Sequence, residues 1–184
     1  MRNTSLGLTG SLLFLANIAN AQPATPATDA EYIKLVTTAA PDQIVGDATI
    51  VRFEANGDVR TLKKGSSEFT CFVNSGEVPM CADPAAMDWA KAWQTHAPPP
   101  DKVGFIYMLN GDNGASNTDP WATKSEPSNH WIKTGAHVMI VGPPAKTMAG
   151  YPRTTDPDPT KPYVMWAGSP YEHLMLPTCA KPGT

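Results

Sequence analysis

The sequence predicts an α+β fold: a single domain with an antiparallel or mixed sheet, one or two covering helices and long Pro/Gly-rich loops. Three observations carry this reading. Strand-length apolar runs recur along the chain while only two stretches show helical punctuation. The 19 prolines and 14 glycines, set against 17% charged residues, point to many turns and ordered loops. With residues 1–21 set aside as a leader, 163 of the 184 residues remain, enough for one core that buries roughly 70% of its unfolded surface.

The leader comes first in the chain. Arg2 supplies a positive n-region, Leu6 to Ile18 an apolar stretch, and Ala19-Asn20-Ala21 an A-x-A cleavage signal, so the mature chain is expected to start at Gln22. Ser5, Thr9, Ser11 and Asn17 interrupt the stretch, which falls short of the roughly 20 apolar residues a span requires. The expected location is the bacterial periplasm or the medium, with no span in the mature chain. A formal charge of −3 favours solubility and gives no reason to expect nucleic acid or anionic lipid as a partner.

Residues 22–28 read as a disordered linker, and the domain as 29–184. Asp29 to Ala39 suits a helix, with acidic residues at its positive end and Pro41 as its stop. Alternation then takes over. Ala48 to Ala55, a type I′ turn at Asn56-Gly57, Asp58 to Leu62 and Phe69 to Val73 predict a three-stranded antiparallel meander. Asp83 as N-cap and Pro84 at the first helical position start a second helix, with Ala86, Trp89, Ala90 and Trp93 as its apolar stripe. Val103 to Leu109 is the next strand, 110–129 a long polar loop, and Ala136 to Val141, Tyr163 to Ala167 and Tyr171 to Leu176 are the closing strands.

Cys71 and Cys81 lie ten residues apart across a turn-rich segment, and an oxidising compartment favours a disulfide between them; Cys179 is left over near the end. The sequence holds no G-x-S-x-G, H-E-x-x-H, G-x-x-x-x-G-K-[ST] or C-x-x-C motif, which leaves enzymatic activity without a sequence argument.

One constellation is more specific. His137-Val138-Met139 and His173-Leu174-Met175 both fall on predicted strands, where a period of two puts each His and Met on one face. If the strands are neighbours, four side chains converge on one ion, and imidazole with thioether suits copper, with Trp166 covering the site from the strand between. A hydrolase would draw on His173, Glu172, Ser169 and the loop acids Asp119, Asp156 and Asp158. A recognition surface for a small ligand or protein would use Asp119, Trp121, Trp131, Tyr151, Arg153 and Tyr171.

The stretches Lys133 to Gly142, Tyr151-Pro152-Arg153, Lys161 to Trp166 and Tyr171 to Met175 resemble a family of small exported bacterial proteins of unassigned function. That resemblance covers about the last third of the chain and implies export without implying an activity. The leading expectation is an exported ligand- or partner-binding domain, with a copper-binding protein and then a small hydrolase as alternatives.

Overall fold

The computed structural model describes residues 26, 28–75 and 77–179; the expected signal peptide at 1–21, and 22–25 and 27 of the expected linker, lie outside the described residues. Thr28, expected to be linker, is instead the N-cap of α1 (Asp29–Val36). Its hydroxyl accepts from Glu31 N while the Glu31 carboxylate accepts from Thr28 N, a reciprocal capping box. A short α2 (Asp42–Val45) follows.

The hairpin β1 (Thr49–Phe53) and β2 (Val59–Lys63) forms as expected, but its turn is not type I′. Among the turn residues only Gly57 takes a positive φ, 89°, and Gly57 N donates to Glu54 O while Glu54 N donates to Asp58 O. This is a three-residue loop, a turn over Ala55 and Asn56 followed by a left-handed glycine bulge, and it spares Asn56 the strain that type I′ demands.

The antiparallel meander is corrected as well. β3 (Thr70–Val73) pairs with β1 on the side away from β2, and in parallel: Thr49 opposite Thr70 and Ile50 opposite Cys71. The connection crosses the start of β1, where Ser66 N and Ser67 N both donate to Asp47 O at 2.9 Å. Gly65 makes the crossing feasible, because a Cβ there would collide with the Asp47 and Ala48 backbone. Past Ile50 and Cys71 no further β1–β3 pair forms, and the Tyr32 hydroxyl bridges the strands, donating to Val51 O (3.0 Å) and accepting from Val73 N (2.9 Å).

β4 (Pro79–Ala82) returns antiparallel to β3 and places Cys71 directly opposite Cys81, and the two form the expected disulfide with Cα atoms 4.0 Å apart. Next comes α3 (Pro84–Gln94), capped by Asp83 as expected: one carboxylate oxygen accepts from Ala86 N and the other from Phe105 N, so one residue caps the helix and ties it to β5 (Gly104–Met108). Its buried stripe is Ala86, Trp89 and Ala92, with Ala90 and Trp93 only half-buried. The helix seats on Gly104, where any side chain would strike the Ala86 backbone. The polar 110–129 loop carries β6 (Ala115–Ser116), which pairs with β7 (Trp131–Ile132).

β8 (His137–Val141), a short α4 (Pro144–Thr147), β9 (Tyr163–Met165) and β10 (His173–Pro177) complete the chain. The eight long strands form one mixed sheet in the order β2-β1-β3-β4-β5-β8-β10-β9. It has two cores. Tyr32, Val36 and Ala48 pack with Ile50, Cys71 and Cys81 under α1, whereas Trp89 and Ala86 of α3 pack with Ile106, Met108, Val141, Tyr163, Met165 and Met175. At the β9 edge the outward amides are occupied, Val164 N donating to Pro152 O and Trp166 N to Asn117 O. The described residues contain no helix long and apolar enough to cross a membrane.

Candidate metal-binding face

β8 and β10 are neighbours, and Met139 stands directly opposite Met175. Strand alternation therefore puts His137, Met139, His173 and Met175 on one face, the one Trp89 of α3 packs against. Their spacing differs from the simple four-ligand picture. His137 lies opposite Pro177, four residues along the strand from His173, or roughly 13 Å at ~3.3 Å per residue.

Each histidine instead has its own pair of methionines. His137 faces Met108 on β5 and has Met139 two residues further along its own strand; His173 faces Met165 on β9 and has Met175 two residues along. A local two-fold axis through the Met139/Met175 pair relates the two sets. Met108 and Met165 were not among the sequence candidates, since only the register of β5 and β9 assigns them to this face.

Both imidazoles are fully buried and share one hydrogen-bonding pattern. His137 Nδ1 lies 2.7 Å from Gly135 O, and His173 Nδ1 lies 3.0 Å from Tyr171 O. A carbonyl only accepts, so Nδ1 carries the proton and Nε2 keeps its lone pair. Neither Nε2 has a hydrogen-bond partner among the described residues. Burial drives the His173 pKa down to about 4, with the charge of His137 adding to the effect against the Tyr171 hydrogen bond. Burial also lowers His137, opposed by its Gly135 bond and the Asp112 carboxyl. Two neutral rings thus hold unused, desolvated lone pairs over a thioether-rich face.

The surroundings of the two rings differ. His173 is enclosed edge-on by Trp166 and Trp89, with centroids 4.8 and 5.3 Å away. Trp166 does not reach it from an intervening strand, because β10 lies between β8 and β9 and Trp166 follows the edge strand β9 at a φ of 56°. Its indole N–H is fixed by Ser116 O at 2.8 Å. Near His137 stands Asp112, whose Oδ1 accepts from Gly114 N and Thr134 N and whose pKa is raised, chiefly by burial. Among the described residues no three His, Cys, Asp or Glu side chains gather as a metal-binding group, so a site here requires thioether sulfur.

The other sequence candidates are dispersed. Arg153 donates to Glu172 (2.8 Å) and Ala145 O, and Tyr171 is buried with its hydroxyl on Ala97 O. Trp131 is half-buried on β7 beside Gly114, and Asp119 accepts from Trp121 N within its own turn. Trp121, stacked on His96 at 4.3 Å, and Tyr151 remain exposed. The hydrolase set does not assemble: Glu172 is spent on Arg153 and Gly168 N, Ser169 Oγ accepts from Tyr171 N, Asp156 pairs with His130, and Asp158 with Thr160 and Lys161. Cys179 is exposed and free.

Comparison with family models, with curated proteins and with solved structures gives no match.

Proposed function

We propose that this protein binds a soft metal ion, Cu(I), outside the cytoplasm, which narrows a general ligand-binding role to one chemical class. The reading is carried by the two buried Nε2 lone pairs, each oriented by an Nδ1–H bond to a backbone carbonyl. That is the usual support of a histidine ligand, in which the second nitrogen fixes both tautomer and ring direction. A desolvated acceptor without a partner costs about 1–3 kcal/mol, and coordination is a reaction that recovers it. Thioether sulfur beside imidazole favours a soft monovalent ion over Mg²⁺, Ca²⁺ or Mn²⁺, which prefer oxygen. Neutral rings need shed no proton to bind, and the indoles of Trp89 and Trp166 keep water from the His173 side.

The test is thermal unfolding of the purified mature chain under anaerobic conditions. At a free Cu(I) concentration a hundred times Kd, stability should rise by about 2.7 kcal/mol, while Mg²⁺ leaves it unchanged. Met139→Leu with Met175→Leu, which keeps core volume, should remove most of the shift. An unshifted wild-type transition would end the proposal.

A further inference from the structure

We infer that the face holds two Cu(I) ions, one per half, each bound by one imidazole and two thioethers: His137 with Met108 and Met139, His173 with Met165 and Met175. This rests on the metal reading above and goes beyond it in number and geometry. The Cα atoms of the two histidines are offset by roughly 13 Å along the strands, and each ring is held by the carbonyl two residues back, on the side away from the other ring, so an ion within about 2–2.5 Å of one Nε2 belongs to that half. Each half is complete without the other. The methionine directly opposite and the methionine two residues along lie on the same face as the imidazole, at the spacings of one sheet cell. The local two-fold repeats this cell, and the unpartnered Nε2 recurs in both copies.

The halves are alike in donors and unlike in surroundings, which makes them separable by experiment. Trp89 and Trp166 pack edge-on against the His173 imidazole. The carboxyl of Asp112 acts on His137, and among the described residues His173 has no such carboxyl partner. Two monovalent ions on neighbouring halves of one buried face repel each other, so the second should bind more weakly than the first. Loading should therefore be biphasic.

Native mass spectrometry of the mature chain titrated with Cu(I) in a competing chelator reads the stoichiometry, and tryptophan fluorescence, followed in parallel, reports the His173 half. The expected result is two ions per chain, with quenching accompanying one of the two steps. Met165→Leu should leave one ion and abolish that quenching, and Met108→Leu should leave one ion with the quenching intact; near-UV circular dichroism checks that both stay folded. A single ion on the wild-type chain overturns the inference while leaving Cu(I) binding standing, and this outcome needs no variant. Two ions retained by Met165→Leu overturns the ligand assignment. No ion on a natively folded chain removes the metal reading itself.

Discussion

Replacing Tyr32 with phenylalanine deletes one oxygen, and the structure sets what that oxygen is worth. The side chain is 2% exposed, and its hydroxyl serves two backbone groups at once, Val51 C=O and Val73 N–H, where the β1–β3 pairing has stopped. Burial pushes the phenol pKa up, so the group stays a neutral donor throughout the ordinary pH range. The ring keeps its packing in the variant, and the Arg52 guanidinium 5.1 Å from its centroid keeps a π face. What changes is that a buried carbonyl and a buried amide lose their partner, at about 1–3 kcal/mol each. A total of about 2–6 kcal/mol follows, a large share of the ~5–15 kcal/mol typical of a domain. With a urea slope of about 2 kcal/mol per molar, the midpoint should fall by roughly 1–3 M at unchanged slope. A loss under about 0.5 kcal/mol would show that the two backbone groups find other partners, and the bridging role would be refuted.

Two further outcomes follow from the same geometry. Converting Cys71 and Cys81 together to alanine should cost about 2–4 kcal/mol, and under non-reducing conditions only Cys179 of the wild type should alkylate; alkylation of the first pair in a peptide map would contradict the disulfide. In the metal-free protein, His173 should make stability fall with acid. Above the ordinary value of 6.5 the ring is neutral folded and unfolded, and between 6.5 and about 4 only the unfolded chain takes the proton, which removes about 3 kcal/mol in that window. Urea midpoints from pH 7 to 4 measure this. A His173→Gln variant with the same pH slope would exclude the ring as a source.

The elements announced by local chemistry were legible in the sequence. Asp83-Pro84 fixed the start of α3, Asn56-Gly57 marked the hairpin, and the spacing of Cys71 and Cys81 fitted adjacent strands. What escaped was decided by distant backbone. The segment between Cys71 and Cys81 reads as turn-rich, yet its Pro79 opens β4, a position where the missing N–H is tolerated. The side on which β3 joins β1 depends on a glycine crossing over Asp47, and local alternation does not encode it. The candidate site divides the same way. His-x-Met on a strand is a local pattern and was visible, whereas Met108 and Met165 join the face only through pairing with β8 and β10.

The unequal ends of the sheet bear on how molecules of this protein meet. At β9 the amides that another chain would seek are already held by Pro152 and Asn117, so no strand can be added there without displacing those loops. Among the described residues no further strand of this sheet lies beside the β2 end, and it is guarded by charge: Arg60 is clamped between Asp29 and Glu54, and Lys63 reaches the carbonyl of Gly46. A body with one blocked end can at most pair through the other, face to face with a copy of itself. Edge-to-edge association by this sheet thus terminates at two molecules and cannot propagate into a filament.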